Sequence, residues 1–272
     1  MFGQERIGVY GKIPVHGDFL NQNLPRDFLD VWDHWLQQSI LASQEVLGEE
    51  WLAHFLISPV WHFVLPNGCT NHQAWAGIML PSVDRVGRYY PLTLVAPLPK
   101  QVGVFEYIAN AEQWFQWLEG VAMMTLEKGL DVDALMQALN ETDITMEFSS
   151  ELALPLASKR HLQHVVPLDS FSHLSSGLSA SEVSPSGQSS SDGSSDDVSA
   201  GDPLARVMPL LCDALLKPQA SRFSLWWTKG GEHVESALLL SDQLPRPTSY
   251  TALLNGQWHN WHWPNLLQPK GS

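Results

Sequence analysis

Hydroxyl and charged side chains that could carry chemistry are concentrated in residues 81–91, Pro-Ser-Val-Asp-Arg-Val-Gly-Arg-Tyr-Tyr-Pro. Ser82 and Asp84 place a candidate nucleophile near an acid, and Arg85 and Arg88 supply two cations. Apolar, strand-like runs flank the stretch on both sides. Because an unpaired charge close to a core is very costly, these groups should have assigned partners. The stretch is therefore either a structural polar network or the floor of a functional site.

A catalytic interpretation of this stretch needs more than its residue types. A serine nucleophile requires a base and an oxyanion hole, and the chain contains no Gly-x-Ser-x-Gly elbow. Asp84 is expected to pair with Arg85 or Arg88, or with Asp18 through an arginine. We favour a charge-assisted network that fixes the loop between two strands, because no catalytic motif lies nearby.

Three further motifs resemble functional sites but lack what each chemistry requires. Residues 8–12 end in Gly-Lys, yet the phosphate-loop spacing is absent and Ile13 stands where magnesium binding needs Ser or Thr. The His-Gly-Asp of residues 16–18 is more typical of a turn cap with a local hydrogen bond than of a metal site or proton relay. His259 and His262 would need a further ligand, and the tryptophans around them favour aromatic packing against the core or a partner.

Acidic side chains recur on the first predicted helix, at Asp27, Asp30 and Asp33. Their simplest interpretation is a solvated helix face. Asp33 differs because it lies in Trp-Asp-His-Trp, between two aromatic residues. We expect Asp33 to be half-buried and to reach a hydrogen-bond donor elsewhere in the fold.

Composition narrows the class of protein. Of the 272 residues, 44% are hydrophobic and 16% are charged, so the chain should bury a substantial core. A net charge of −14 disfavours binding to nucleic acid or to an anionic membrane surface. The two cysteines form no Cys-x-x-Cys pair, which favours a reducing compartment and signals no zinc site. No signal peptide and no apolar run of about 18 residues is present, so we expect a cytoplasmic protein without membrane insertion.

Hydrophobic periodicity predicts the elements that position these residues. Helices are predicted over 24–47, 51–57, 105–126, 133–139, 204–216 and 248–254. Strands are predicted over 7–13, 60–65, 75–80, 89–96, 223–228 and 234–240. Gly48 and Gly129 are the expected stops of the two long helices, and Asp133 is the expected cap of the third. The short links between consecutive strands favour antiparallel pairing.

One serine-rich segment, residues 170–202, differs from the rest of the chain. Its composition cannot offset the entropy lost on ordering, so it is predicted to be a flexible insertion. Residues 1–169 then form the first part of the core, and residues 203–272 complete the same domain with a helix and a hairpin. The predicted fold is α+β, with a single antiparallel sheet of about five strands and packed helices. A longin- or profilin-like layering is expected by analogy alone.

Several motifs, in a fixed order, resemble the TagF family of accessory proteins of bacterial type VI secretion systems. The similarity is dense over residues 7–100, weaker to about residue 165, and returns at residues 223–227 and 244–245; the serine-rich segment has no counterpart. The residues of these motifs are assigned structural or interaction roles, with no catalytic, cofactor-binding or metal-binding residue among them. They are Gly11, Lys12, Gly17, Asp18, Phe19, Trp32, Asp33, Trp61, Pro81, Ser82, Asp84, Arg85, Gly87, Arg88, Trp226 and Trp227.

The resemblance implies a cytoplasmic, non-enzymatic protein that represses type VI secretion after translation. Members of the family bind the forkhead-associated scaffold protein Fha, and no cofactor is implied. Some relatives carry a fused phosphatase domain of the PP2C type, for which this chain has no room. Two alternatives stay open: a small-ligand binder or enzyme that uses Asp18, Ser82, Asp84, Arg85 and Arg88, or a structural accessory subunit of the secretion apparatus.

Overall fold

The computed structural model describes residues 6–100, 102–141, 144, 208–213 and 223–264. The strands are β1 (Gly8–Gly11), β2 (Leu20–Gln22), β3 (Trp61–Leu65), β4 (Trp75–Leu80), β5 (Leu92–Pro97), β6 (Phe223–Thr228) and β7 (Ala237–Asp242). The helices are α1 (Arg26–Leu47), α2 (Trp51–Leu56), α3 (Val104–Asn110), α4 (Glu112–Lys128), α5 (Val132–Asn140) and α6 (Thr251–Asn255). Residues 208–213 are also helical, and short 3-10 turns occupy Gly48–Glu50, Pro247–Tyr250 and Trp258–Trp261.

All described strands belong to one antiparallel sheet with the order β2-β1-β5-β4-β3-β6-β7. The predicted α+β fold with a single antiparallel sheet is confirmed, although seven strands replace the expected number of about five. Strand β2 has only three residues and no alternating pattern long enough to predict. The hairpin β6–β7 extends the sheet because β6 pairs with β3.

Helices cover both faces of the sheet. The central strands β3, β4 and β5 are therefore buried on both sides. On the first face, α1, α2 and the C-terminal elements pack on alternate strand residues. That core includes Tyr10, Phe28, Trp32, Trp35, Phe55, Trp61, Phe63, Trp75, Val95, Trp226, Tyr250 and Leu253. On the second face, α3, α4 and α5 pack on the intervening residues. That core includes Val9, Val64, Ile78, Leu92, Leu94, Tyr107, Trp114, Phe115, Leu118 and Leu135.

The longest helix, α1, follows its predicted apolar stripe. It begins just after Pro25 and ends at Gly48, whose positive φ of 52° suits glycine. Trp32 lies at its centre, fully buried, with its ring near those of four other aromatic residues. The indole Nε1 of Trp32 donates a hydrogen bond to Thr93 Oγ1 at 3.1 Å, so helix and sheet are joined by a polar contact inside the core.

Two predictions of local structure need correction. The single helix predicted over 105–126 is two helices, α3 and α4, with a break at Ala111 that no Gly or Pro announces. The cap of α5 is Asp131, whose side chain accepts a hydrogen bond from the Ala134 N–H at 2.9 Å, and Asp133 lies in the first turn. Of the helix predicted over 204–216, only 208–213 is described, and it is helical. The serine-rich segment 170–202 lies outside the described residues.

The pairing of β1 with β5 positions the polar stretch that the sequence singled out. The register Gly8↔Val95, Val9↔Leu94, Tyr10↔Thr93 places the end of β1 beside the start of β5. Gly11 has a φ of 120°, and a Cβ there would lie only 1.9 Å from the carbonyl oxygen of Pro91. This close approach brings Lys12 beside the loop that connects β4 to β5.

Candidate functional site

Lys12, Asp84 and Arg88 form a compact ionic group, here called the Asp84 cluster. Asp84 Oδ2 accepts from Lys12 Nζ at 2.9 Å and from Arg88 Nε at 2.6 Å. Asp84 Oδ1 accepts from the backbone N–H groups of Val86 and Arg88 at 3.0 and 2.9 Å. Gly87, at a φ of 86°, closes the turn by donating its N–H to the Asp84 carbonyl. The loop between β4 and β5 is therefore folded around one carboxylate.

The Asp84 carboxylate is buried, yet it is kept ionised. Burial by itself raises the pKa of this carboxyl, but the N–H of Arg88, the Lys12 ammonium, the Arg88 guanidinium and the N–H of Val86 together outweigh burial and hold the pKa well below its usual range. Lys12 is also almost completely buried, so the Lys12 ammonium and the Asp84 carboxylate neutralise each other as a buried ion pair. An acid held so firmly ionised is unsuited to proton transfer near neutral pH.

Two neighbours of the Asp84 cluster, Ser82 and Arg85, differ in burial and in their contacts. Ser82 is buried and donates its hydroxyl to the Lys12 carbonyl at 2.7 Å, so it braces the loop. Arg85 was expected to belong to the ionic network or to pair with Asp84, and this is corrected: its side chain is exposed and lies beside Gly17 instead. Only the backbone of Arg85 joins the loops, through its N–H to the His16 carbonyl at 3.1 Å.

The segment Pro14–Phe19 forms the other wall of the site. Asp18 Oδ1 accepts from the Phe19 N–H at 2.8 Å, which is the local turn hydrogen bond that the sequence favoured. The Arg88 guanidinium reaches the Gly17 carbonyl at 2.6 Å, and Lys12 Nζ lies 4.8 Å from the centre of the Phe19 ring. This segment and the loop between β4 and β5 are thus held side by side.

A second polar group, the Asp33 cluster, adjoins the first through Phe19. Asp33 Oδ1 accepts from the phenols of Tyr10 and Tyr90 at 2.5 and 2.7 Å, and Oδ2 accepts from Gln37 Nε2 at 2.6 Å. The expectation that Asp33 is half-buried with donors elsewhere in the fold is confirmed. The ring centres of Phe19 and Tyr90 are 4.8 Å apart, so Phe19 links the two clusters.

The phenols of the Asp33 cluster act as permanent hydrogen-bond donors. Burial, together with the hydrogen bond that the Tyr10 hydroxyl donates to the Asp33 carboxylate, raises the pKa of Tyr10 well above its usual range. Burial, together with neighbouring Tyr10 and Asp33, raises the pKa of Tyr90 further. Neither phenol can ionise near neutral pH, and the Asp33 carboxylate already accepts three hydrogen bonds. This arrangement orients side chains and leaves no free base.

An open depression of about 360 Å³ lies beside the Asp33 cluster. Its lining residues are Tyr10, Asn21, Leu24, Arg26, Leu29, Asp30 and Asp33. Arg26 and Asp30 are highly exposed and 3.9 Å apart, which is a weak surface pair. The depression is shallow and mixed in polarity, unlike the enclosed apolar pockets that hold small ligands.

Sequence reasoning missed a third polar group, the His62 cluster, on the second face of the sheet. His62 Nε2 lies 2.5 Å from Glu119 Oε1, His62 Nδ1 lies 3.2 Å from the Trp227 carbonyl, and Lys229 Nζ lies 3.2 Å from Glu119 Oε1. Burial lowers the pKa of His62, against the opposing influence of Glu119. A histidine inside the apolar run 60–65 was the available signal, since strand alternation places it opposite Trp61 and Phe63.

The remaining candidates have structural surroundings. Burial raises the pKa of the Cys69 thiol to about 12, so this cysteine is no nucleophile at neutral pH. His262 has a φ of 67° after the 3-10 turn, so it does not share a helix face with His259. Among the described residues, no group of three or more His, Cys, Asp or Glu side chains could hold a metal ion.

Aromatic residues of the family motifs lie in the packing between layers. Trp61 and Trp226 are fully buried on the first face, whereas Trp227 stacks on His62 on the second. In the C-terminal tail, Trp258 packs edge-on against Trp61, and the Trp263 indole donates to the Ser249 carbonyl at 2.9 Å. Packing against the core, one of the two roles foreseen for this aromatic tail, is therefore observed.

The fold and these clusters define an α+β protein with one antiparallel sheet, helices on both faces and clusters of mutually paired, largely buried polar groups. The model of the family described as the TagF N-terminal domain, type VI secretion system-associated, matches residues 8–142. Those residues belong to that family, and the protein is therefore associated with a type VI secretion system.

Comparison with solved structures finds a similar fold along almost the whole chain. The crystal structure of PA0076 from Pseudomonas aeruginosa PAO1 is similar at a TM-score of 0.65 and 27% sequence identity. The alignment covers 92% of this chain and 94% of that chain. A search of curated proteins found no match. In the part of the chain that is described, no helix has the length and apolar character needed to cross a bilayer.

Proposed function

We propose that the protein is a cytoplasmic, non-enzymatic negative regulator of a bacterial type VI secretion system. It acts after translation by binding the forkhead-associated scaffold protein Fha, and its occupancy of the scaffold prevents assembly of the secretion apparatus. The observation that carries this proposal is the TagF N-terminal domain match over residues 8–142. That range contains strands β1–β5 and the whole of the Asp84 and Asp33 clusters.

The geometry of the candidate site supports an interaction role over catalysis. In the Asp84 cluster, both carboxylate oxygens are satisfied and Ser82 donates to a backbone carbonyl rather than to a base. Asp18 is engaged with its own turn. A hydrolytic role would need a free nucleophile, and a ligand-binding role would need unpaired polar groups inside a cleft. Arg85 is exposed and lies beside Gly17 rather than in a cleft with the other residues. The paired groups are better suited to holding two loops in fixed positions.

The proposal predicts direct, saturable binding to the cognate Fha. We expect purified protein to retain Fha in a pull-down with a Kd of about 1 µM or lower, as regulatory complexes of standard interface size show. Deletion of the gene should raise type VI secretion, and overproduction should lower it, with unchanged amounts of the apparatus proteins. Secretion of a marker effector, measured by immunoblot of culture supernatants, provides the cellular readout.

Two controls distinguish this regulator from the alternatives. An unrelated acidic protein of similar size should not retain Fha, which excludes binding by net charge alone. A structural accessory subunit would co-purify stoichiometrically with assembled complexes, and its deletion would abolish secretion. Absence of Fha binding together with unchanged secretion on deletion would refute the regulatory proposal.

A further inference from the structure

The ring of His62 is held between two elements on the second face of the sheet. His62 belongs to β3, and its side chain is only 2% exposed. The Trp227 ring of β6 stacks on the imidazole with 5.2 Å between ring centres, and the Phe115 ring of α4 meets it edge-on at 5.2 Å. Because aromatic rings pack against the imidazole from both elements, the fold sets where its two nitrogens lie.

The partners of these two nitrogens determine how many protons the site holds. Nδ1 lies 3.2 Å from the Trp227 carbonyl oxygen, which only accepts hydrogen bonds, so Nδ1 carries a proton. Nε2 lies 2.5 Å from Glu119 Oε1, and an ionised carboxylate also only accepts. A neutral imidazole has a single N–H and cannot donate to both partners. The contact with Glu119 therefore requires one proton more than a neutral histidine beside an ionised glutamate holds.

Glu119 has a second partner that requires no additional proton. Lys229 follows β6, and its Nζ lies 3.2 and 3.5 Å from the two carboxylate oxygens of Glu119. The Lys229 side chain is 64% exposed and that of Glu119 is 23% exposed, so this ion pair faces water. The other neighbours of the ring, one aromatic residue each on α4 and β6 and Ile78 opposite His62 on β4, are uncharged. Among the described residues, Glu119 and Lys229 are thus the charged groups that act on His62.

We propose that His62 and Glu119 form a proton-binding site that switches a contact between α4 and the sheet. With the proton bound, Glu119 bridges α4 to β3. When the proton passes to water, Nε2 and the carboxylate are both acceptors, so Glu119 turns outward and keeps only Lys229. Burial lowers the pKa of His62 from its ordinary value of 6.5, so the proton binds under mildly acidic conditions and is released near neutral pH. The site shares no residue with the Asp84 and Asp33 clusters, and the inference does not depend on Fha binding.

Nitrogen NMR of the histidine rings, recorded on the full chain between about pH 8 and pH 4.5, tests the site directly. At the high end of this range the His62 ring should be neutral with its proton on Nδ1, because the Trp227 carbonyl selects that nitrogen. On acidification Nε2 should gain a proton, with a midpoint below the ordinary histidine value of 6.5. A neutral ring that carries its proton on Nε2, or a ring that does not titrate over the range, overturns the proposal.

Two variants should move the titration midpoint of His62 in opposite directions. Glu119→Gln removes the carboxylate that attracts the proton and offers an amide N–H to Nε2, so the midpoint should fall by about 1 pH unit or more. Lys229→Met removes the cation that competes for Glu119, so the midpoint should rise by about 0.3 pH unit.

Glu127→Gln is the matched control, because it makes the same substitution at an exposed position of α4 and should leave the midpoint unchanged. Circular dichroism establishes that each variant is folded. Lys229 is exposed, so Lys229→Met tests the site even where Glu119→Gln does not fold. Equal midpoints in the wild-type protein and in folded Glu119→Gln overturn the proposal, as does a midpoint that falls in Lys229→Met.

Discussion

Replacing Asp84 by alanine is expected to lower the melting temperature of the protein by roughly 10 °C. This is the usual effect of breaking a buried ion pair in a domain of this size. The substitution leaves the buried Lys12 ammonium without its counter-ion and removes the acceptor for two backbone N–H groups. The effect should therefore be on stability rather than on surface contact. Thermal unfolding followed by circular dichroism measures it.

Asp84→Asn separates the charge from the shape of the side chain. The amide can still accept from the backbone N–H groups of Val86 and Arg88, but it cannot neutralise Lys12, so most of the loss should remain. Adding Lys12→Met to Asp84→Asn should recover part of the stability, because the unpaired buried charge is then gone. Asp30→Ala, at an exposed carboxylate, is the control and should change the melting temperature by less than about 2 °C. An Asp84→Ala variant that is as thermostable as the parent but fails to repress secretion would make Asp84 a contact residue instead.

The same interaction gives the direction of a pH effect. The pKa of Asp84 is lower in the folded protein than in the unfolded chain, so its stabilising contribution is fully present above the unfolded pKa of about 3.9. The contribution is lost as pH falls through the folded value. The difference in unfolding free energy between the wild-type protein and Asp84→Asn should thus be constant near pH 7 and narrow below about pH 4. Urea titrations at pH 7, 4 and 3 test this, and the other carboxylates cancel in the difference.

Replacing Trp32 by alanine should destabilise the protein by about 3–5 kcal/mol, the range for removing a large buried aromatic side chain. Trp32 is fully buried between α1 and the sheet, and its ring lies within 6.0 Å of those of Phe28, Trp35, Phe63 and Trp226. The change opens a cavity between two layers and leaves Thr93 without its hydrogen-bond donor. Urea-induced unfolding measures the free energy of unfolding directly.

The neighbouring residue on the same helix provides the control. Val31 is 38% exposed, so Val31→Ala should change the free energy of unfolding by less than about 1 kcal/mol. Trp32→Phe should fall between the two, since it keeps an aromatic ring but loses the bond to Thr93. If Trp32→Ala were no more destabilising than Val31→Ala, the central role of Trp32 in joining helix and sheet would be wrong.

The local sequence pattern, meaning hydrophobic spacing and glycine stop signals, was sufficient to predict most of the helices and strands. The spacing of Phe28, Trp32 and Trp35 predicted α1, and Gly48 and Gly129 predicted where the two long helices stop. Pattern failed where the local signal was weak or ambiguous: β2 has three residues, and the break at Ala111 lies in a run whose apolar spacing is continuous. The division into residues 1–169, 170–202 and 203–272 stays a prediction, because both of its boundaries lie outside the described residues.

For the candidate site, the residue types identified the place but not the partners. The sequence marked residues 81–91 as a charged stretch between strands, and the structure shows Asp84 at its centre. It could not identify Lys12, 72 residues away in the chain, as the first partner of Asp84. It also assigned Arg85 to the network by proximity, although the side chain turns outward. Tyr10 and Tyr90, which donate hydrogen bonds to Asp33, lie in stretches that the sequence marked, but neither was given a role.

The sequence alone therefore determined the fold class, the helices and central strands, and the family, because these depend on hydrophobic periodicity and on motifs in a fixed order. Only the tertiary structure decided which of the two exposed arginines pairs with the buried Asp84 carboxylate and which does not. The antiparallel pairing of β1 with β5 brings Lys12 against the loop, where Lys12 and Arg88 both contact Asp84 Oδ2. Residues 81–91 are thus a polar network built around the buried carboxylate of Asp84.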